Sequence, residues 1–147
     1  MELQTMMQAG IGSYITGLTH MASSLSPGRN PSFVEADCFD LKDCKKDFAK
    51  WYRISEKLLE LTPMERSLED LLTEWINDKG EVLEALLHHM KCCIGEPVAL
   101  YEPVHFRKLT DKLSSSEGGI SAFYFVEDIC FVEYKKYMLC LMLGNNE

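Results

Sequence analysis

One stretch of the sequence carries side chains that could hold a metal ion or perform catalysis. Residues 88–93 read His-His-Met-Lys-Cys-Cys. On a helix, residues four apart share a face, so His88 faces Cys92 and His89 faces Cys93. Imidazole and thiolate ligands at that spacing can share one zinc ion, although a structural zinc site needs about four ligands. The segment supports the hypothesis of a small metal-dependent or cysteine enzyme.

A structural role explains the same segment without chemistry. Cys93 falls on the apolar face of the predicted helix, where a buried thiol behaves as a small apolar side chain. His88 falls on the polar face, four residues after Glu84, and the two can pair. The chain has no Gly-x-Ser-x-Gly elbow, phosphate-binding glycine-rich loop or His-Glu-x-x-His pair. We therefore predict no catalytic residue, no metal ion and no cofactor, with the enzyme as an alternative.

Acidic side chains gather in two places. The first group surrounds the start of a predicted helix, where the helix dipole favours carboxylates without any function. Its members are Glu35, Asp37, Asp40, Asp43 and Asp47. The second group, Glu127, Asp128 and Glu133, lies on the predicted C-terminal meander, where Glu127-Asp128 forms the turn between its first two strands. Glu133 interrupts an apolar strand face, so we expect it to face solvent at a rim or to meet a cation.

The overall charge indicates which partners the surface favours. The chain has 23 acidic and 15 basic side chains, a formal charge of −8 and a pI near 5.0. Such a field repels nucleic acid and anionic membranes and favours basic proteins. Lys42, Lys46, Lys50, Arg53 and Lys57 form a basic ridge on one helix. Because carboxylates are interleaved with them, a solvated face with local ion pairs is favoured over a nucleic-acid site.

Helical periodicity dominates the first three quarters of the chain. The spacing of apolar residues predicts helices over 3–25, 41–61, 63–76 and 81–94, and a weaker pattern predicts a fifth over 103–113. The third helix has the clearest start, because Thr62-Pro63-Met64-Glu65 combines a capping threonine, an initial proline and a glutamate three residues after the cap.

The first predicted helix has one conspicuous apolar stripe, which we expect to face the core. The stripe comprises Leu3, Met7, Ile11, Tyr14, Leu18, Met21 and Leu25. Gly10, Gly12 and Gly17 each cost roughly 1 kcal/mol relative to alanine, so this helix must either depend on tertiary contacts or break near Gly10. The same glycines would let another helix approach closely.

The last quarter changes from helical to strand character. Residues 120–126, 129–134 and 137–143 are short runs rich in aromatic and β-branched side chains. We predict a single α+β domain over residues 1–147, with four to five helices followed by an antiparallel meander of three strands. A fourth strand joins them if residues 98–101 pair with the sheet.

Such a meander places residues 137–143 at its edge. This run is apolar on both faces and includes Leu139 and Leu141. An exposed apolar edge is a template for aggregation, so something must cover it. The candidates are residues 98–101, a helix of the same chain, a second copy or a binding partner.

The compartment follows from two observations. No apolar run reaches the ~20 residues that cross a bilayer, and the first residues lack the positive start of a secretory signal. The six cysteines are scattered through predicted helices and strands, which is typical of reduced thiols. We expect a cytoplasmic protein.

These features favour a small acidic binding protein that covers a basic partner protein. In general character, though in no motif, it is similar to bacterial immunity proteins, antitoxins and phage inhibitors, which implies an inhibitory or neutralising role. The predicted partner-binding residues are Glu127, Asp128, Glu133, Leu139 and Leu141. Another alternative is a homodimeric sensor that binds a small molecule in an apolar pocket between helices and sheet.

Overall fold

The computed structural model describes residues 3–25, 32–76, 80–115 and 125–145. These residues form five α-helices, one short 3-10 helix and five strands. The α-helices are α1 (Leu3–Leu25), α2 (Cys44–Tyr52), α3 (Leu68–Ile76), α4 (Glu81–Ile94) and α5 (Phe106–Ser115). The strands are β1 (Ser32–Asp40), β2 (Leu61–Pro63), β3 (Ala99–Pro103), β4 (Phe125–Glu133) and β5 (Tyr137–Asn145). The 3-10 helix covers Glu56–Leu59.

The five strands form one antiparallel sheet with helices on both faces. The strand order is β1-β5-β4-β3-β2. Leu139, Leu141 and Leu143 of β5 point into a core cluster shared with α1, α3 and α4. The alternate residues of β5 point into a second cluster, shared with α2 and α5. The predicted α+β class is confirmed, with helices mostly first, but the sheet has five strands where three or four were expected.

Strand β5 does not lie at an edge, contrary to the prediction. It is hydrogen-bonded to β4 on one side and to β1 on the other, in a register that runs from Ser32 opposite Asn145 to Asp40 opposite Tyr137. The strand that covers it is therefore none of the four expected candidates. Residues 98–101 do contribute a strand, β3, but it pairs with β4 on the side away from β5.

Helix α1 protects the outer edge of β1. The Thr16 hydroxyl accepts a hydrogen bond from the Ala36 N–H at 2.8 Å and donates to the Ala36 carbonyl at 3.1 Å. The Thr19 hydroxyl donates to the Val34 carbonyl at 2.6 Å. Gly12 permits this approach, since a Cβ there would lie 3.0 Å from the Ala36 oxygen. The side-chain hydroxyls thus bond strand groups that would otherwise be open to another chain.

The face that α1 buries is not its predicted apolar stripe. Gly12, Ile15, Thr19 and Ala22 are buried against the sheet. Of the predicted stripe, Ile11 and Leu18 are only partly buried. The others with described side chains are about half exposed or more: Met7, Tyr14, Met21 and Leu25. The prediction was wrong because contact with an edge strand selects small and hydroxyl-bearing residues over large apolar ones.

Two predicted helices are shorter than expected. Helix α2 ends at Tyr52, because Arg53 adopts a left-handed conformation with φ of 56° and its N–H bonds to the Ala49 carbonyl. The chain then forms the 3-10 helix and β2. The Thr62-Pro63 signal lies in β2, which pairs with β3, and α3 begins only at Leu68. Here a tertiary strand pairing outweighs a local capping signal.

The predicted turn at Glu127-Asp128 is an irregularity within one strand. Strand β4 runs without interruption from Phe125 to Glu133, and its register with β5 shifts between Val126 and Asp128. Glu127 is the additional residue of this β-bulge. The remainder of the predicted strand over 120–126, residues 120–124, lies outside the described residues.

Candidate functional site

The predicted apolar docking residues belong to the core. Leu139 and Leu141 are each 0% exposed, between β1 and β4 and beneath the α1, α3 and α4 layer. Both side chains are therefore out of reach of a partner at the surface of this structure. Their apolar character on a strand with two covered faces is explained by folding alone.

The three predicted acidic residues do not form one patch. Glu127 is exposed at the bulge, whereas Glu133 lies at the other end of β4, about 20 Å away along a strand. The Tyr101 hydroxyl donates a hydrogen bond to the Glu133 carboxylate at 2.9 Å, and this bond and the adjacent charge raise the pKa of Tyr101. Glu133 is therefore partly exposed and bonded to a phenol at the sheet, and the described residues place no cation within ion-pair distance of it.

Asp128 occupies a half-buried position beside α3. Burial is the main cause that raises the pKa of its carboxyl group, and the Ile129 N–H, which donates at 2.8 Å, opposes the rise. The Trp75 indole N–H also lowers this pKa, but as a donor whose geometry is too poor for an ordinary hydrogen bond. The Asp128 carboxyl group thus contacts Ile129 and Trp75 of the same chain, and it is only partly accessible to solvent.

The histidine and cysteine segment lies on α4, as expected. Cys92 Sγ is 3.7 Å from His88 Nε2, and both residues are exposed. Cys93 is partly buried toward β1, where it acts electrostatically on Cys38. Among the described residues, no group of three or more histidine, cysteine or acidic side chains could hold a metal ion. The hypothesis of a metal-dependent or cysteine enzyme is therefore supported by one structural feature, the exposed contact between Cys92 and His88.

The other thiols are unsuited to nucleophilic attack. All six cysteines are free. Burial raises the pKa of Cys38 and of Cys130 to about 12, raises that of Cys140 well above its ordinary value, and also raises those of Cys44 and Cys93. A raised thiol pKa disfavours the reactive thiolate.

A carboxylate near the edge of the sheet has a pKa close to neutrality. Asp37 of β1 accepts a hydrogen bond from the hydroxyl of Tyr52 on α2. Burial raises the pKa of Asp37 to about 6, the Tyr52 bond lowers it, and the nearby Glu35 raises it. Burial also raises the pKa of Tyr52 far above its ordinary value, so the shared proton stays on the phenol.

Sequence reasoning missed the special position of Asp37. It was assigned to a group of carboxylates favoured by a helix dipole, but β1 extends to Asp40 and places Asp37 on a sheet face opposite Cys140. The available signal was its alternation with Ala36 and Cys38 in an otherwise strand-like run. Perturbed carboxyl groups of this kind are enriched at functional sites, although structural networks produce them too.

Basic and acidic side chains are concentrated on opposite sides of the sheet, which the formal charge of −8 does not reveal. On the α2 and α5 side, residues 41–60 and 104–115 include nine basic and five acidic side chains. On the α3 and α4 side, residues 64–76 and 80–96 include seven acidic and two basic ones. The two helical layers therefore carry about equal and opposite formal charges.

The basic layer also has a cleft and an exposed indole. The cleft, of about 390 Å³, opens beside the turn that joins β4 to β5. It is lined by Asp40, Leu41, Lys42, Lys135, Lys136 and Tyr137. Trp51 of α2 is 61% exposed. This cleft is rich in lysine and lies at the surface, unlike the apolar pocket between helices and sheet that a sensor would need.

Comparison with known proteins does not identify a function for this chain. The chain matches no protein-family model, and neither the curated proteins nor the solved structures contain a match to it. The chemistry of its surfaces is therefore the basis on which a function is inferred.

Proposed function

We propose that this protein is a non-enzymatic binding protein that engages a basic partner protein through the surface of α3 and α4. The observation that carries the proposal is the excess of carboxylates on this layer. Among the described residues of this layer, both basic side chains form ion pairs, Arg66 with Glu74 and Lys91 with Glu96 at 2.8 Å. The remaining carboxylates, which we call the acidic surface, are Glu65, Glu69, Asp70, Glu81 and Glu84, all exposed.

The acidic surface has a rigid support. Helix α3 buries Leu71, Leu72 and Trp75, and α4 buries Leu83 and Leu86, in one core cluster with the sheet. Carboxylates on packed helices keep their relative positions, so less order has to be imposed when a partner binds. A field of one sign also accelerates encounter with a basic protein. Inhibition or neutralisation of that partner is the role that this build favours.

Reversing two charges of the acidic surface should slow association with the partner. The partner is first captured from the native host and identified by mass spectrometry. For Glu69→Lys/Glu84→Lys we expect the association rate to fall about tenfold at low salt, because local steering is lost. The difference should shrink toward physiological salt, where the Debye length is about 8 Å. Stopped-flow or biosensor kinetics at several salt concentrations would measure this.

The matched control changes net charge by the same amount on the other layer. Asp43→Lys/Glu56→Lys replaces two exposed carboxylates of the α2 side. This variant should keep most of the association rate. An equal loss in both variants would assign binding to net charge and contradict the proposed surface, as would a captured partner that is itself acidic.

A second candidate function rests on the basic layer. Trp51, with most of its indole exposed among lysines, has the chemistry of a binding hot spot for an anionic partner. We infer an acidic protein segment as that partner, since the carboxylates interleaved on α2 disfavour a long phosphate backbone. The cleft beside Lys42 and Lys136 offers a place for its carboxylates.

Replacing Trp51 with alanine should weaken binding to a polyglutamate peptide, used as a model acidic segment. We expect at least a roughly fivefold rise in the peptide Kd at low salt, with no change in Tm, because Trp51 contributes little to the core. The control is Val98→Ala, which shortens another exposed apolar side chain, 64% exposed. If the parent protein shows no affinity for the peptide at low salt, the lysines are simply a solvated face.

A further inference from the structure

We propose that two copies of this chain pair through α1 as an antiparallel, twofold-symmetric dimer. The proposal starts from the apolar side chains that α1 leaves outside the core. Met7, Tyr14 and Met21 recur at intervals of seven residues on its outer face and are 52%, 48% and 62% exposed. Met6 and Leu25 are similarly exposed at its two ends. These five side chains are thus about half exposed or more and belong to neither core cluster of the described chain.

The exposed apolar area of this face is closer to that of a protein interface than to that of the ordinary surface of a monomer. Five large apolar side chains, each about half exposed, amount to several hundred Å², at the upper end of what monomers expose. Pairing two such faces would remove on the order of 1,000 Å² from water, the lower limit for a specific interface. The face also adjoins the core, since Ile11 and Leu18 beside it are partly buried against the sheet layer.

The pattern of residues on this face is self-complementary. Met7, Gly10, Tyr14, Gly17 and Met21, which we call the α1 stripe, read nearly the same in both directions about Tyr14. Their spacing of three and four is that of helices that pack along a seam. In an antiparallel pair, Met7 of each copy meets Met21 of the other and the two Tyr14 rings meet at the axis. A twofold interface requires this kind of self-match.

The glycines of the stripe have room for side chains of a second copy. A Cβ built at Gly10 or Gly17 would meet nothing within 4 Å. Each glycine is therefore a shallow depression between two large side chains. In the antiparallel arrangement, a depression on one helix lies near the Tyr14 or Met side chains of the other, which allows the helices to approach closely.

Charge distinguishes a second copy from other occupants. Helix α1 contains no aspartate, glutamate, lysine or arginine, although the whole chain has a formal charge of −8. Two molecules of the same charge can associate most easily where that charge is absent. Among the described residues no helix is long and apolar enough to cross a membrane. Helices that lie on membranes carry lysine and arginine on their polar face, and α1 has neither.

The first test is the mass in solution with a stripe variant and a matched control. Sedimentation equilibrium of the parent should give twice the 16.8 kDa chain mass. Tyr14→Glu should give a monomer with an unchanged circular dichroism spectrum, because Tyr14 is outside the core. Ala9→Glu adds the same charge at an exposed position of α1 on a different side of the helix from Met7, Tyr14 and Met21, and should remain dimeric. A parent that is monomeric at every concentration up to about 0.1 mM would overturn the proposal.

The second test determines whether the two α1 helices pair in antiparallel or parallel orientation. It uses a short bis-maleimide cross-linker and single-cysteine variants of α1 in a Cys92→Ser background. Met7→Cys should not cross-link to itself, but mixing it with Met21→Cys should produce a covalent dimer, whereas Tyr14→Cys alone should cross-link efficiently. Self-cross-linking of Met7→Cys would show parallel pairing and contradict the antiparallel dimer. Binding of the parent to anionic or zwitterionic lipid vesicles, abolished by Tyr14→Glu, with no dimer in solution, would assign the stripe to lipid instead.

Discussion

Leu141→Lys should abolish folding. Leu141 is fully buried on β5, opposite Ala36 of β1 and Cys130 of β4. A lysine ammonium at this position would lie in an apolar cluster that holds no carboxylate to pair with it. The cost of burying that charge exceeds about 5 kcal/mol, which is comparable with the whole stability of a domain of this size. Loss of the cooperative thermal transition, followed by circular dichroism, would measure the effect.

Leu141→Met is the control, because it changes the same side chain without introducing a charge. Methionine conserves side-chain volume, so this variant should lose less than about 1.5 kcal/mol and retain the native spectrum. A Leu141→Lys protein that folds normally but fails to dimerise or to bind its partner would contradict the pairing of β5 with β1. It would restore the interpretation of residues 137–143 as an exposed edge.

Asp37→Asn should stabilise the protein at neutral pH. The pKa of Asp37 is raised from an ordinary 3.8 to about 6, chiefly by burial. The folded state therefore holds a proton between about pH 4 and pH 6 that the unfolded state has released. The stability that this group contributes is present below about pH 4 and is lost as the pH rises through about 6. A shift of about two pKa units corresponds to roughly 3 kcal/mol.

The side-chain amide that this substitution introduces cannot ionise. The decrease in the free energy of unfolding that accompanies ionisation of Asp37 should therefore disappear. Relative to the parent, Asp37→Asn should gain nothing near about pH 4 and up to about 3 kcal/mol above about pH 7, as measured by urea unfolding across this range. The Tyr52 hydroxyl can still donate to the amide oxygen. Asp43→Asn, which alters an exposed carboxylate, should remain within about 0.5 kcal/mol of the parent at every pH. An unchanged pH profile in Asp37→Asn would contradict the raised pKa.

A carboxylate that costs stability at neutral pH is a candidate for function. Packing alone would be served better by an amide at position 37, and Tyr52 could bond either group. Glu35 on the same strand adds to the cost, since it raises the pKa of Asp37 further. Comparing partner binding by Asp37→Asn and the parent on either side of the Asp37 pKa of about 6 would show whether the ionised form is used.

The proposed dimer would change how the acidic surface binds. Helices α1, α3 and α4 share one layer, so a pair joined through α1 carries two acidic surfaces in a fixed relation. A partner with two basic sites, or an oligomeric one, would then bind with an avidity that a monomer lacks. Tyr14→Glu separates the two effects, because it removes the pairing and leaves every carboxylate of α3 and α4 in place.

Local periodicity predicted the helices whose bounds are set by neighbouring residues. The bounds of α1 and α4 agree with the apolar spacing over 3–25 and 81–94. The mixed class followed from the change in character near the C-terminus. The signal at Thr62-Pro63 misled for the opposite reason, since β2 forms through contact with β3, which is distant along the chain.

The sequence by itself determined the bounds of α1 and α4, the α+β class and the total charge, because these depend on neighbouring residues or on sums. Only the tertiary structure decided which strand covers β5, because pairing between β1 and the end of the chain leaves no local trace. It also decided that Asp37 is partly buried, that charges of opposite sign lie on opposite faces of the sheet, and that Met7, Tyr14 and Met21 of α1 face outward. Each of these depends on which surfaces meet when the helices dock, and spacing along the chain does not record that choice.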